Sequence, residues 1–290
     1  MKVLAEQGRV RTDSDGCRRY LPISLSFDTR AYILGTDIEE RWDEQVKAQW
    51  RQNKQSMSEH LIHQYGADGF DRKITDFVDL DKAPWTVIAP HVPILNDIRR
   101  SFIAGAHYSA LLGAAGLGER ILNDLVLQLR DAFAGHPATK RIAKKKSFDN
   151  WPVMAETLKD WGILDAGVTS ACIKFAELRN SVVHFRPDKN IHVRSAALQA
   201  MGHLSQLIEH VFAPMGRPPR FIAGTTGHSF LSLDAESHPL IQLYFIPNSV
   251  LVSPDFEFRD SLTSIYDEQD YPSINDVQTL TDAEFAQRRS

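Results

Sequence analysis

The stretch TSACIKFAELRNSVVHF, residues 169–185, has the apolar spacing of an amphipathic helix, and Pro187 closes it. At about 100° per residue, one arc of this helix holds four apolar residues, Phe175, Leu178, Val182 and Phe185. That arc is expected to face a helical core. The other side holds a polar trio, Arg179, Asn180 and His184, with Glu177 beside it. A helix that only packs needs no such trio, so we expect this second face to have a function.

Helical spacing continues on both sides of this stretch. Apolar residues recur in three further segments, residues 96–133, 152–161 and 190–212. Three glycines could bend or break the first segment, Gly113, Gly116 and Gly118. Asn150 is a candidate cap and Gly162 a candidate stop for the second. Four helices joined by short links predict a compact bundle over residues 93–215.

The two flanks have different patterns. Residues 18–34 alternate apolar and polar side chains and predict one or two strands, and a long helix is expected from Asp37 to Tyr65. Three C-terminal runs are also strand-like, SFLSLD (229–234), PLIQLYFI (239–246) and SVLVSPDFEF (249–258), before a polar tail that could end in a short helix. We predict a mainly α fold with three parts: an N-terminal α+β segment over 1–92, the bundle over 93–215, and a β-rich segment with its tail over 216–290.

The composition sets limits on function. Among 290 residues, 43% are hydrophobic and 24% charged, which is typical of a globular protein, and the net charge of −4 does not favour bulk binding of nucleic acid. The sequence contains no apolar run long enough for a membrane span and no signal peptide is evident. The two cysteines, Cys17 and Cys172, define neither a disulfide framework nor a zinc site. We expect a cytoplasmic protein.

The spacing from Arg179 to His184 is weak evidence by itself. Two similar pairs occur, Arg130 with His136 and Arg186 with His192, but Gly135 and Pro187 interrupt them. Only Arg179 and His184 share one predicted helix, and only there does an asparagine follow the arginine. This Arg-Asn-x-x-x-His pattern, on the penultimate long helix of a bundle, resembles the active motif of the HEPN superfamily of nucleotide-binding domains. The resemblance covers residues 95–213.

Many HEPN proteins are ribonucleases, so the resemblance implies an endoribonuclease that needs no metal or other cofactor and leaves 2′,3′-cyclic phosphate ends. Arg179 would stabilise the phosphate charge, His184 would be the acid or base, and Asn180 would orient them. Glu177 could interact with His184 and tune its role as acid or base. The resemblance also implies a homodimer through the motif helix, RNA as the substrate, and a toxin–antitoxin or antiviral abortive-infection setting with an antitoxin or other regulatory partner protein.

The strongest basic cluster lies in HPATKRIAKKKSF, residues 136–148. It contains Lys140, Arg141, Lys144, Lys145 and Lys146, which could hold an RNA backbone or form a solvated loop. Two alternatives to catalysis stay open, a dimeric binding scaffold of the same fold and an adaptor that works through its terminal segments. Other candidates are weaker: the Gly113–Gly118 run lacks a P-loop ending, and neither His60 with His63 nor the cluster His228, Asp234, Glu236 and His238 completes a metal site. Cys172 is expected to pack rather than react.

Overall fold

A computed structural model of the chain describes residues 2–4, 6–144, 150–183, 192–259, 264–268 and 279–289. The fold is mainly α, as predicted. In chain order the helices are α1 Arg30–Gly35, α2 Glu44–Tyr65, α3 Phe70–Asp79, α4 His91–Ile103, α5 His107–Leu129, α6 Trp151–Asp160, α7 Ala166–Val183, α8 Val193–Phe212, α9 Leu233–Glu236 and α10 Asp282–Arg289. The strands are β1 Lys2–Leu4, β2 Arg19–Pro22, β3 Leu25–Asp28, β4 Ala83–Val87, β5 Ser249–Val252, β6 Glu257–Arg259 and β7 Ser264–Glu268.

The N-terminal segment mixes strands and helices. The alternating run that begins at residue 18 forms β2 and β3, but its last residues, expected to be extended, form α1. The long helix expected from Asp37 begins only at Glu44, because Asp43 has an extended ψ of 146° and stands outside the helix. The sequence patterns did not predict α3, since it is short and half polar.

The helical segment expected from about residue 96 is two helices, not one. The chain turns at Gly105, whose φ of +89° is open to glycine at little cost, and whose N–H donates to the Phe102 carbonyl at 2.9 Å. Beyond this turn α5 continues without interruption through Gly113, Gly116 and Gly118. These glycines therefore do not break the helix. The predicted α6, α7 and α8 are all present, and α6 and α7 begin one and three residues earlier than expected.

The C-terminal segment is less β-rich than expected. Of the three strand-like runs, only the third is extended, as β5 and β6. PLIQLYFI forms helical turns, because its buried residues recur at helical spacing: Leu240, Ile241, Tyr244 and Phe245. The first run holds only an isolated bridge at Leu231 before Ser232 caps α9. The short helix expected in the tail is α10.

The strands form small sheets. β1 and β6 both pair antiparallel with β7, and β2 pairs antiparallel with β5, so that Tyr20 lies opposite Leu251. A further two-stranded sheet joins β3 and β4. None of the helices that the structure describes is long and apolar enough to cross a membrane.

The chain divides into two compact units, which do not follow the three parts drawn from the sequence. The first comprises residues 1–26, 85–89 and 212–290, and the second residues 27–84 and 90–211. The first unit has a core of apolar side chains that includes Phe230, Phe256 and Phe285. The second unit contains the bundle helices and also α1 to α3, because α3 packs against α4. The described residues of the Arg-Asn-x-x-x-His motif and of the basic cluster lie in the second unit.

Candidate functional site

The buried face of α7 differs from the face drawn from the sequence. Its buried residues are Val168, Thr169, Ala171, Cys172, Phe175 and Ala176. On a helical projection this arc is centred at the angle of Arg179. Leu178 and Val182, expected in the core, are only half-buried. The prediction that Arg179 is on a surface turned away from the core was therefore wrong. Arg179 continues the packed face of α7 by one further turn.

Close helix packing lies just before Arg179. The Trp151 ring of α6 meets the Phe175 ring of α7 edge-on, with centroids 5.1 Å apart. Gly118 of α5 lies against both rings: a Cβ built on it would come 2.7 Å from Trp151 Cη2 and 2.9 Å from Phe175 Cε1. Only a residue without a side chain allows α5, α6 and α7 to approach this closely. The contact fixes the position of α7 immediately before its polar turn.

Two polar contacts hold Arg179 in that turn. Its Nη1 donates to Asn180 Oδ1 at 3.0 Å, and its Nη2 lies 3.9 Å from Glu119 Oε2 on α5. The Arg179 side chain is 36% exposed and that of Glu119 23%. An ion pair of this length and exposure contributes little to stability, about 1 kcal/mol or less. The guanidinium is thus oriented toward α5 without being enclosed by it.

This arrangement suits the binding of an anion. Arg179 carries a permanent charge on a planar group with five N–H donors, and only one donates within hydrogen-bond distance of a described acceptor. Asn180 is exposed, and its amide carbonyl is the acceptor for Arg179, so its NH₂ group points elsewhere. The oxygens of a phosphate could accept hydrogen bonds from both side chains. Glu119 lowers the net positive charge of the turn, and no sequence pattern indicated its proximity to Arg179.

The remaining motif residues are less informative. His184, the expected acid or base, lies outside the described residues. Glu177 is exposed, and its expected effect on His184 stays a prediction. In the part of the chain that the structure describes, the motif is therefore represented by Arg179 and Asn180. They are adjacent, hydrogen-bonded, and placed in the last turns of α7.

The basic cluster is partly described. Lys140 and Arg141 end a 3₁₀ turn, Pro137–Arg141, and both are exposed, as is Lys144. Lys145 and Lys146 lie outside the described residues. Arg141 Nη1 donates to Asp160 Oδ2 of α6 at 2.9 Å, so the charge of Arg141 is partly compensated. No contact between this cluster and Arg179 is seen in the described part of the chain, and a joint role in RNA binding stays a prediction.

Cys172 has the environment of a packing residue. It is 2% exposed, and burial raises the pKa of its thiol to about 12. The thiol is therefore protonated at neutral pH and a poor nucleophile. Elsewhere, the described residues include no group of three His, Cys, Asp or Glu side chains that could hold a metal ion.

Comparisons with protein-family models, with curated proteins and with solved structures found no match to this chain. The side chains of α7 and their contacts therefore carry the functional inference.

Proposed function

We propose that the chain is a metal-independent endoribonuclease of the HEPN type, which acts as a homodimer through α7. The observation that supports this most is the contact between Arg179 and Asn180, a half-exposed guanidinium oriented by the next side chain in the turn that leads to His184. A residue of this kind can bind a phosphate without first being released from a buried ion pair.

The chemistry requires one base, one acid and one cation. The 2′-hydroxyl oxygen of a ribose forms a bond to the adjacent phosphorus as the base takes its proton. The bond from phosphorus to the 5′-oxygen breaks, and an acid protonates that oxygen, which leaves a 2′,3′-cyclic phosphate and a 5′-hydroxyl. His184 of one or both protomers would exchange the protons. Arg179 would stabilise the added negative charge on the phosphate oxygens.

A second candidate function is a non-catalytic dimeric scaffold of the same fold. The observation that favours it is the carboxylate of Glu119, which lies 3.9 Å from the guanidinium of Arg179. In a scaffold Arg179 and Glu119 would stay paired, and Arg179 would serve only to connect α7 with α5. The two candidates make opposite predictions for RNA, so one set of variants can separate them.

The experiment is a cleavage assay on the full chain with end-labelled single-stranded RNA, in the presence of EDTA. Wild-type protein is expected to cut, while His184→Ala and Arg179→Ala lose at least about 100-fold in rate, the usual contribution of an acid–base group or a charge-stabilising donor. Lys174→Ala is the matched control, because Lys174 is an exposed cation of the same helix. It should cut at the wild-type rate.

Two outcomes would contradict the proposal. Cutting by His184→Ala and Arg179→Ala at the wild-type rate would show that the activity comes from elsewhere. A wild-type protein that neither cuts RNA nor arrests growth when expressed would favour the scaffold. Growth is included because a toxin or antiviral effector of this class could depend on an activating partner in the cell.

A further inference from the structure

A buried carboxylate gathers three basic side chains at the start of α5. Asp76 of α3 is 1% exposed. Its Oδ2 accepts from Arg72 Nη1 at 2.6 Å, and its Oδ1 accepts from Arg194 Nε of α8 at 2.9 Å. Arg194 also bonds to Asp79. We call Arg72, Asp76, His107 and Arg194 the Asp76 cluster.

The third basic group is His107, the first residue of α5. Its Nε2 lies 3.3 Å from Asp76 Oδ2. A carboxylate only accepts hydrogen bonds, so this contact requires the proton on Nε2. The Phe102 ring supports the arrangement from α4: its centroid is 4.6 Å from that of His107 and 5.7 Å from the guanidinium carbon of Arg194.

The cluster has donors that Asp76 does not use. Arg72 is 46% exposed and Arg194 39%, and neither Nε nor Nη2 of Arg72, nor Nη1 of Arg194, has an acceptor among the described residues. Nδ1 of His107 likewise has none in that part of the chain. A single arginine would satisfy a buried carboxylate. Two arginines and a histidine leave several N–H groups without an acceptor in the described part of the chain.

The backbone is adapted to this arrangement. At Gly105 an added Cβ would lie 2.8 Å from Arg72 Nη1, so a glycine there lets the guanidinium rest on the turn between α4 and α5. The turn then leads directly into His107. The first N–H groups of α5 have no acceptor within the helix, and they add partial positive charge beside the histidine.

We propose that the Asp76 cluster is a phosphate-binding site in which Arg72, Arg194 and His107 donate hydrogen bonds to the anion. Asp76 is buried, whereas Arg72 and Arg194 are 46% and 39% exposed, so an anion at the surface reaches the arginine N–H groups before the carboxylate of Asp76.

This site is separate from Arg179 and Asn180 in the last turns of α7. His107 and Glu119 are twelve residues apart on α5, about 18 Å along its axis. Phosphate binding at the Asp76 cluster can thus be measured whether or not the chain cuts RNA. The phosphate could be free or part of an RNA backbone, and the two sources can be distinguished by the probe.

The experiment is an NMR titration of the full chain labelled in its histidine rings, at pH 7 and constant ionic strength. His107 is assigned from the resonances that disappear in His107→Gln. Inorganic phosphate should shift the His107 ring resonances along a saturable curve. Arg72→Gln should weaken this binding by about tenfold, since it removes a charge-assisted donor. Arg72 is half-exposed, so this variant should fold.

The control is Arg100→Gln, since Arg100 is an exposed arginine of α4 that pairs with Asp97 at 3.5 Å. It should bind phosphate like the wild type. A second titration uses a 2′-O-methyl RNA oligonucleotide, which cannot be cleaved through its 2′-oxygen. A response of His107 to this RNA alone would assign the site to a phosphodiester, and a response to inorganic phosphate alone to a free phosphate or monoester. If His107 responds to neither, or responds equally in Arg72→Gln, the proposal is wrong.

Discussion

The last turns of α7 and the Asp76 cluster both bring arginine to a carboxylate, but they hold it in different ways. Among the described residues Arg179 has one acidic partner, Glu119, at 3.9 Å, and both side chains are partly exposed. Asp76 is buried and has two arginines within 2.9 Å of its oxygens. In the first region Arg179 can exchange Glu119 for another anion at little cost in free energy. In the second region Asp76 holds both arginines in place, so a ligand can bind only through the N–H groups that Asp76 does not use.

The largest effect should come from neutralising the buried carboxylate. Asp76→Asn removes a buried acceptor of charge-assisted hydrogen bonds from both arginines, each worth about 1.5 to 3 kcal/mol, so we expect the free energy of unfolding to fall by about 3 to 5 kcal/mol. Urea denaturation followed by circular dichroism measures this. Asp97→Asn, at a side chain that is 75% exposed, should change stability by less than about 0.5 kcal/mol. A loss below about 1 kcal/mol in Asp76→Asn would remove the difference between the two regions.

A second test uses pH. The packed interior disfavours the charged form of a buried histidine, whereas the Asp76 cluster holds charged side chains. His91, the first residue of α4, is 4% exposed, and burial lowers its pKa from 6.5 to about 4. The unfolded chain therefore binds this proton more readily than the folded chain. The contribution of His91 to stability is fully present above pH 6.5 and is lost as the pH falls toward 4, by about 3 kcal/mol in all.

The comparison of wild type with His91→Gln isolates this contribution. Both proteins are unfolded in urea at several pH values between 4 and 7, and the difference in their free energies of unfolding is plotted against pH. The wild type should lose stability more steeply below pH 6.5. Parallel curves across this range would show that His91 does not titrate as its burial requires.

A third test concerns the packing that positions the polar turn of α7. Gly118→Ala would force its Cβ against Trp151 and Phe175, and we expect a loss of about 1 to 3 kcal/mol from overpacking. Gly116→Ala is the matched change two residues earlier, where the added Cβ has nothing within 4 Å beyond its chain neighbours and the backbone of its own helix. It should stabilise by about 0.5 to 1 kcal/mol, because alanine favours the helix. Equal effects in thermal unfolding of the two variants would contradict the close approach at Gly118.

The smallest effect is expected at the motif turn itself. Glu119→Gln removes the carboxylate beside Arg179, and it should hardly change the unfolding free energy. A unit charge at about 4 Å is worth about 1 kcal/mol in water, so RNA should bind about fivefold more tightly. Fluorescence anisotropy with a labelled 2′-O-methyl oligonucleotide measures this. Unchanged or weaker binding would show that Arg179 does not contact RNA.

Sequence patterns located the bundle helices but misjudged part of the face of α7. Phe175 and Cys172, both expected in the core, are buried. Leu178 and Val182 were expected beside them but are half-buried, and small residues such as Ala171 are buried instead. Small side chains allow helices to approach closely, and hydrophobic periodicity gives them little weight. The strand predicted for PLIQLYFI was wrong for a related reason, since a short apolar run does not distinguish a strand from a buried helical turn.

The Asp76 cluster could not be foreseen from the sequence. Arg72 and Asp76 have the i, i+4 spacing of an ordinary surface pair on a helix. Their other partners are far away in the chain: His107 is 31 residues from Asp76, and Arg194 is 118 residues from it. Glu119 likewise meets Arg179 only because α5 packs against α7. Local patterns predict helices, but the partners of a charged side chain depend on the tertiary fold.

The most direct measurement of the central claim is the chemistry of the RNA ends that the protein leaves. The wild-type protein in EDTA is expected to produce fragments with a 2′,3′-cyclic phosphate and a 5′-hydroxyl, detected by mass spectrometry, and Arg179→Ala and His184→Ala should produce neither. Fragments with a 5′-phosphate, or cyclic ends that persist undiminished in both variants, would contradict an acid–base ribonuclease centred on the last turns of α7.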